Sequence, residues 1–327
     1  MQNQLARLIK NQMFEGFLLV KNAEQRTSSN GSKFLDMTLS DVSGEFNGKM
    51  WDGNTPAPKA GTVIKVRAMM NEYNGRPQLR VDKLRAVTEK DEVDMSLIVP
   101  CAPEPAEAMD GRIRQRVATI QDEELKRIVE FRLAEAGDAL AYYPAAQKLH
   151  HAERSGLLHH TSTMLEMADK VCDVYPALDR DLLAAGVVLH DLCKLTEIVA
   201  DESGVASDYS REGLLLGHLV QGVSVLMRAC EQLGVREELK LMLAHMILSH
   251  HDLPEYGSPR RPMFPEAEVL HILDLLDARM FEMTYALNAT APGTFTERIW
   301  SLERKLYRRE KPAREGQNEP EAAPPEA

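Results

Sequence analysis

Cysteine is scarce in this chain of 327 residues, and its four copies, Cys101, Cys172, Cys193 and Cys230, show neither paired metal spacing nor the density of a secreted disulfide scaffold. The expected compartment is therefore a reducing one, the cytoplasm. The N-terminus, MQNQLARLIKNQMFEGFLLV, lacks a long apolar stretch, which argues against a signal peptide and a membrane span. Positive charge is also short: 39 Lys+Arg face 50 Asp+Glu, a net charge of −11, which at first disfavours a nucleic-acid partner. The deficit is not uniform. Residues 1–90 carry 14 Lys+Arg against 9 Asp+Glu, so a basic excess is confined to the first part of the chain and the acidic excess to the rest.

The length suggests two domains, and 44% hydrophobic residues suffice for packed cores. From Met13 to Val87 the pattern is one of short strands divided by turn signals. Asn30-Gly31 and Asn74-Gly75 are dipeptides that tight hairpins favour, while Asn47-Gly48 could equally sit within a strand or bulge. About five strands in some 75 residues suit a small closed barrel. If Leu35, Met37, Leu39, Phe46 and Met50 point inward, the pleat turns Phe34, Lys49 and Trp51 outward, with Lys65, Arg67 and Arg80 on other strands. Tyr73 joins them on a loop. Rings for base stacking interleaved with cations for the backbone are what a single strand of nucleic acid requires; the plainer alternative is that these rings pack against a neighbouring element.

Past the strands, the chain becomes rich in Pro and Glu, then regains helical spacing through Ile113, Val117, Ile120, Leu125, Ile128 and Val129. The expected organisation is multidomain α and β: a barrel at 1–88, a linker at 89–110, connecting helices at 111–145, an all-α bundle at 146–310, and a disordered Pro-, Glu- and Ala-rich tail at 311–327.

The chemistry concentrates in the bundle. His190-Asp191 ends an apolar helical run, and around it stand His160, His218, the pair His250-His251, and Asp274, at intervals that suit one ligand per helix. Nitrogen and oxygen donors without cysteine describe a site for one or two divalent ions of the Mn, Fe or Mg type. Asp191 is placed to bridge two cations, and metal-activated water is how such centres break phosphodiester bonds. Lys194, one turn after Asp191, falls on the same helix face and could neutralise a bound phosphate. Asp277, one near-turn after Asp274, could orient a ligand histidine. Each histidine alone is weak evidence, since a single helical histidine is more often an ordinary core or surface residue.

The order H, HD, H, H, D with a lysine after HD resembles the HD superfamily of metal-dependent phosphohydrolases over roughly the last two thirds of the chain. The stretches FLDMTLSDVSGEFNGKMWD and AGTVIKVRAMMNEYNGRPQLRVDKL resemble an OB-fold of the nucleic-acid-binding type. With YYPAAQKLHHAERSGLLHHT, SHH and EYGSPRRP, nearly the whole chain is similar to the YhaM-type 3′-to-5′ exoribonucleases. That resemblance implies a manganese-type ion and single-stranded RNA, in some members DNA, as substrate. It also makes Asp191 and Lys194 catalytic, and puts His151 and Arg261 near substrate or behind the ligands. Where the family is expected to read GGLLEHT this chain reads SGLLHHT, so Ser155 and His159 replace a glycine and a glutamate beside His160.

The expected function is a cytoplasmic exonuclease releasing nucleoside monophosphates, with no membrane association and with a homo-oligomer left open. Two alternatives remain: a phosphohydrolase of small nucleotides or cyclic dinucleotides with a regulatory barrel, and a non-enzymatic single-strand-binding protein.

Overall fold

The computed structural model describes residues 2–310, so the tail expected at 311–327 lies outside the described residues. Two compact units are present, Met1–Asp277 and Ala278–Ala327.

The first unit begins with a closed barrel of β1 (Met13–Thr27), β2 (Lys33–Asp41), β3 (Gly44–Met50), β4 (Val63–Tyr73) and β5 (Arg76–Ala86). The strand order is β1-β2-β3-β5-β4, antiparallel except where β3 pairs in parallel with β5. Such a five-stranded Greek-key barrel is the OB topology. Leu35, Met37, Leu39 and Met50 are buried in its interior with Leu18, Val66 and Leu79, and Phe46 packs against them half-buried. Asn30-Gly31 falls in the β1–β2 turn. Asn74 (φ 50°) and Gly75 (φ 73°) both take left-handed values, as a two-residue hairpin between β4 and β5 requires. Asn47-Gly48 lies within β3 instead. There a Cβ on Gly48 would stand 3.0 Å from Leu39, so the glycine makes room for the barrel core.

The segment after β5 is less of a free linker than its prolines suggest. Ile98 and Val99 are buried with Leu19 of the barrel, and the first helix already starts at Ala106. Apolar side chains within the Pro/Glu-rich stretch find barrel surface to cover, and that anchors it. The bundle then runs α1 (Ala106–Ala118), α2 (Glu123–Ala136), α3 (Gly156–Val174), α4 (Arg180–Leu189), α5 (Lys194–Glu197), α6 (Arg211–Leu233), α7 (Glu237–Ser249) and α8 (Pro265–Asn288). Between α5 and α6 a short hairpin, β6 (Ile198–Ala200) and β7 (Ala206–Tyr209), is inserted. The carboxylates of Asp122 and Asp179 cap α2 and α4 by accepting two backbone N–H groups each.

The apolar stripes of these helices meet in one core built from Ile113, Ile128, Leu158, Leu183, Val187, Leu243 and Leu270 among others. By length and composition α6 could cross a membrane. Its residues Leu219, Gly222, Leu226, Ala229 and Cys230 are nonetheless buried against the bundle, the placement of a core helix. In the second unit Phe295 bridges to Tyr307 and Ile299 to Arg304, and the Arg308 guanidinium donates to the Leu287, Asn288 and Thr290 carbonyls.

Candidate metal centre

Helix ends and one kink bring the histidines together. His190 and Asp191 follow directly on α4, and His250 caps α7. In α6 the chain breaks helical geometry at Gly217 (φ 67°, ψ 165°), a conformation open to glycine, and the next residue is His218. His160 projects from α3 and Asp274 from α8. His160, His190, Asp191 and His250 are 0–2% exposed and His218 is 7% exposed, so the cluster is buried.

Each ring has one nitrogen already engaged. His190 Nδ1 donates to the Val187 carbonyl at 2.8 Å and His250 Nδ1 to the Ile247 carbonyl at 2.8 Å, each three residues back. His160 Nδ1 bonds Asp277 Oδ2 at 2.7 Å, His218 Nδ1 bonds Glu197 Oε2 at 2.9 Å, and His251 Nδ1 bonds the Tyr256 carbonyl at 2.7 Å. In each neutral ring these partners fix the tautomer in which Nε2 carries a lone pair. The Nε2 atoms turn to one point: His160 Nε2 lies 3.3 Å from His190 Nε2 and 3.4 Å from Asp274 Oδ1, and His218 Nε2 lies 3.4 Å from Asp191 Oδ1. His250 Nε2 is 3.8 Å from the same Asp191 oxygen. His218, His250 and His251 also form a triplet whose ligating atoms all lie within 4.8 Å of one another.

Asp191 Oδ1, His218 Nε2 and His250 Nε2 are buried with no hydrogen-bond partner, which is costly unless something else meets them. Buried imidazole nitrogens and carboxylate oxygens, held by outer hydrogen bonds and converging within coordination range, fit a divalent ion. Electrostatics agree. Burial alone would raise the Asp191 carboxyl, but His190 and Lys194 outweigh it and hold the group well below the carboxylate range, and Asp274 is held down in the same way by His160. Burial, then the neighbouring His251 and His190, pushes His250 well below an ordinary imidazole, which keeps its lone pair available. His160 goes the other way: burial lowers it, yet Asp274 and Asp277 lift it to about 9.

Lys194 is 7% exposed, and its Nζ stands 2.6 Å from Asp191 Oδ2. Burial disfavours its charge, but Asp191 and Asp274 outweigh that and keep the ammonium charged. Its place is at the edge of the centre, paired to the aspartate. His151 does not enter the centre; its Nε2 bonds Asp277 Oδ2 at 2.7 Å, so Asp277 joins two histidines. The Arg261 side chain is 70% exposed, and its Nε lies 3.7 Å from Oδ1 of Asp252, the residue after the His250-His251 pair.

Three participants escaped sequence reasoning. His150, next to His151, is half-buried, with a buried, unpartnered Nε2 and its ring centroid 5.7 Å from that of His160. Burial first, then Lys194 and His160, pushes it down to about 3. Nothing in the tandem His150-His151 says which ring turns inward. Glu197 also bonds the backbone N–H of His218, and its signal was present as a carboxylate one turn beyond Lys194. His271 Nδ1 bonds the His250 carbonyl at 2.7 Å and steadies that helix end.

On the barrel, Phe34 and Trp51 stack with centroids 4.8 Å apart, and Lys49 Nζ lies 5.4 Å from the ring centroids of both Phe34 and Tyr73. Trp51 and Tyr73 are exposed, at 58% and 60%, while Phe34 is covered by its neighbours. Arg80 sits opposite Lys49 in the β3–β5 register and pairs with Asp82. Lys65 and Arg67 are not in this group. They lie on β4 opposite Phe17 and Glu15 of β1, and Lys65 is engaged by Asp91 at 3.8 Å and by the Phe17 ring.

Comparison with known proteins completes the description. The HD domain family matches residues 157–279. The chain is 40% identical over 296 residues to the 3'-5' exoribonuclease YhaM of Bacillus subtilis (strain 168), covering 89% of this chain and 93% of that protein. It is 39% identical over 293 residues to the 3'-5' exoribonuclease YhaM of Bacillus pumilus (strain SAFR-032), covering 89% and 92%. Among solved structures, the second OB-fold domain of replication protein A from Methanococcus maripaludis is similar at 18% identity and a TM-score of 0.23, over 28% of this chain and all of that one. With two relatives near 40% identity along almost their whole length, and an HD domain around the histidine centre, the chain belongs to the YhaM family of 3'-5' exoribonucleases.

Proposed function

We propose that this protein is a cytoplasmic, metal-dependent 3′-to-5′ exoribonuclease that shortens single-stranded RNA, with single-stranded DNA as a second substrate, and releases nucleoside monophosphates. The observation that carries the reading is the set of imidazoles whose Nδ1 atoms are engaged and whose Nε2 atoms face Asp191 and Asp274 in a buried centre. In this reading His160, His190, Asp191, His218, His250 and Asp274 hold a divalent ion, Mn before Fe, Mg or Co, and His251 stands ready as a further ligand or a phosphate contact. A bound ion supplies Lewis acidity, which makes a water nucleophilic near neutral pH and offsets charge gathering on the phosphoryl oxygens.

The protein side chains supply orientation and charge. Lys194, paired to Asp191, would neutralise the non-bridging oxygens of a terminal phosphate bound at the centre. Glu197, Asp277 and His271 keep His218, His160 and His250 aligned. Burial of the centre excludes bulk water and strengthens each of these interactions. The Phe34–Trp51 stack, Lys49, Tyr73 and Arg80 form a surface for bases and backbone, which holds a strand while its end reacts. The four cysteines are free, in keeping with a reducing compartment.

The test is a product ladder. Apo-protein is restored with Mn²⁺, Mg²⁺, Co²⁺ or Fe²⁺ and given the same oligoribonucleotide labelled at its 5′ or 3′ end. A 5′ label that shortens stepwise, with the 3′ label released at once as monophosphate, is expected. Stepwise shortening of the 3′ label, or turnover of free nucleotides alone, refutes the proposal.

A further inference from the structure

A second group of ligating atoms lies behind the first. His151 Nδ1 stands 3.1 Å from His159 Nδ1, His159 Nδ1 is 2.8 Å from Glu153 Oε1, and His151 Nδ1 is 3.6 Å from the same oxygen. Three atoms capping one face of a cation with bonds of about 2.1 Å stand roughly 3.0–3.5 Å apart, and this triangle brackets that range. His151 is 1% exposed, with the Glu153 and His159 side chains 11% and 20% exposed, so the triangle is sheltered but reachable.

The His151 ring is held from its far side, where Nε2 meets Asp277 Oδ2 at 2.7 Å, so its Nδ1 faces Glu153 and His159. The three side chains form one group whose ligating atoms all lie within 4.8 Å of one another.

We propose that His151, Glu153 and His159 form an auxiliary divalent-cation site, separate from the His190-Asp191 centre and joined to it through Asp277. Two imidazoles and one carboxylate select a borderline ion such as Zn²⁺ or Co²⁺ over Mg²⁺ or Ca²⁺. The ion staples the segment carrying His150 and His151 to α3, the helix that carries His160. Occupancy of this site does not depend on the nuclease reading, since it involves none of the six residues assigned to the main centre.

The test counts ions. Untagged apo-protein is brought to equilibrium dialysis with Co²⁺, and bound metal per chain is measured for wild type, D191N, H159A, E153Q and the double variants D191N/H159A and D191N/E153Q, each shown by circular dichroism to be folded. Loss of one equivalent in H159A and E153Q relative to wild type, and in each double variant relative to D191N, is the expected result. A visible Co²⁺ absorption band that survives D191N and disappears with H159A supports the same assignment. Equal stoichiometry with and without His159 and Glu153 overturns the proposal, whether or not D191N has abolished hydrolysis.

Discussion

Replacing Asp277 by asparagine probes the link between protonation and metal binding most directly. Its Oδ2 meets His160 Nδ1 and His151 Nε2, both at 2.7 Å, and with Asp274 it lifts His160 from 6.5 to about 9 against the opposing effect of burial. At pH 7 the metal-free protein therefore holds a proton on the nitrogen that an ion needs. Displacing it costs the equivalent of about two pH units, roughly 100-fold in affinity or ~3 kcal/mol. Wild-type affinity should rise about tenfold per pH unit above neutrality and level off near pH 9. In Asp277→Asn the carboxylate charge is gone, so the plateau should arrive at lower pH. It should also lie about 10- to 100-fold lower, because the ring is no longer held and polarised.

Stability of the chelated protein follows with the opposite sign. A folded value raised above 6.5 contributes stability that is complete below about pH 6.5 and is lost as pH climbs through about 9. Thermal unfolding in chelator should show that loss in wild type and less of it in the variant. The binding assay is calorimetric titration of apo-protein with Mn²⁺ from about pH 6.5 to 9.5, in buffers of different ionisation enthalpy to count released protons. A wild-type affinity independent of pH, or a variant with an unchanged profile, refutes the reasoning.

Asp191→Asn should lower single-turnover hydrolysis of single-stranded RNA by at least about 10²-fold while the far-ultraviolet dichroism stays native; retained hydrolysis removes Asp191 from the centre. Trp51→Ala takes away the exposed half of the Phe34 stack and should weaken binding of a long single strand by about 1–3 kcal/mol in fluorescence anisotropy, leaving a dinucleotide hydrolysed at an unchanged rate. An equal loss on both substrates would mean the barrel does not grip the strand. Gly213→Ala places a methyl group against the Glu197 carbonyl and should cost about 1–3 kcal/mol by forcing α6 away from the turn that orients His218, seen as a lower Tm and weaker Mn²⁺ binding. A Tm equal to wild type would show that α6 and Glu197 are not so closely packed.

Ser155 illustrates how local backbone demands surface in sequence. It takes φ 62° at the start of α3, a conformation that suits glycine, the residue expected there from the family pattern, and its hydroxyl donates to the Ala141 carbonyl at 2.6 Å. Lys65 illustrates the converse. Alternation along β4 correctly turns it outward, yet alternation carries no information about which side of a closed barrel a strand occupies, and the register places it beside Phe17 and Asp91. The Pro/Glu-rich segment likewise reads as solvated by composition, while Ile98 and Val99 find a barrel surface to bury against.

Residue type and spacing along the chain determined the two folds, the turns at Asn30-Gly31 and Asn74-Gly75, and the set of histidines and aspartates, because strand alternation, helical period and turn chemistry are all local. Packing alone decided what surrounds those histidines. His150 and His151 both bring their rings beside His160, Asp277 serves two rings at once, and Glu197 holds His218, since outer hydrogen bonds depend on the angle and rotation at which distant helices cross, which no interval in the sequence encodes.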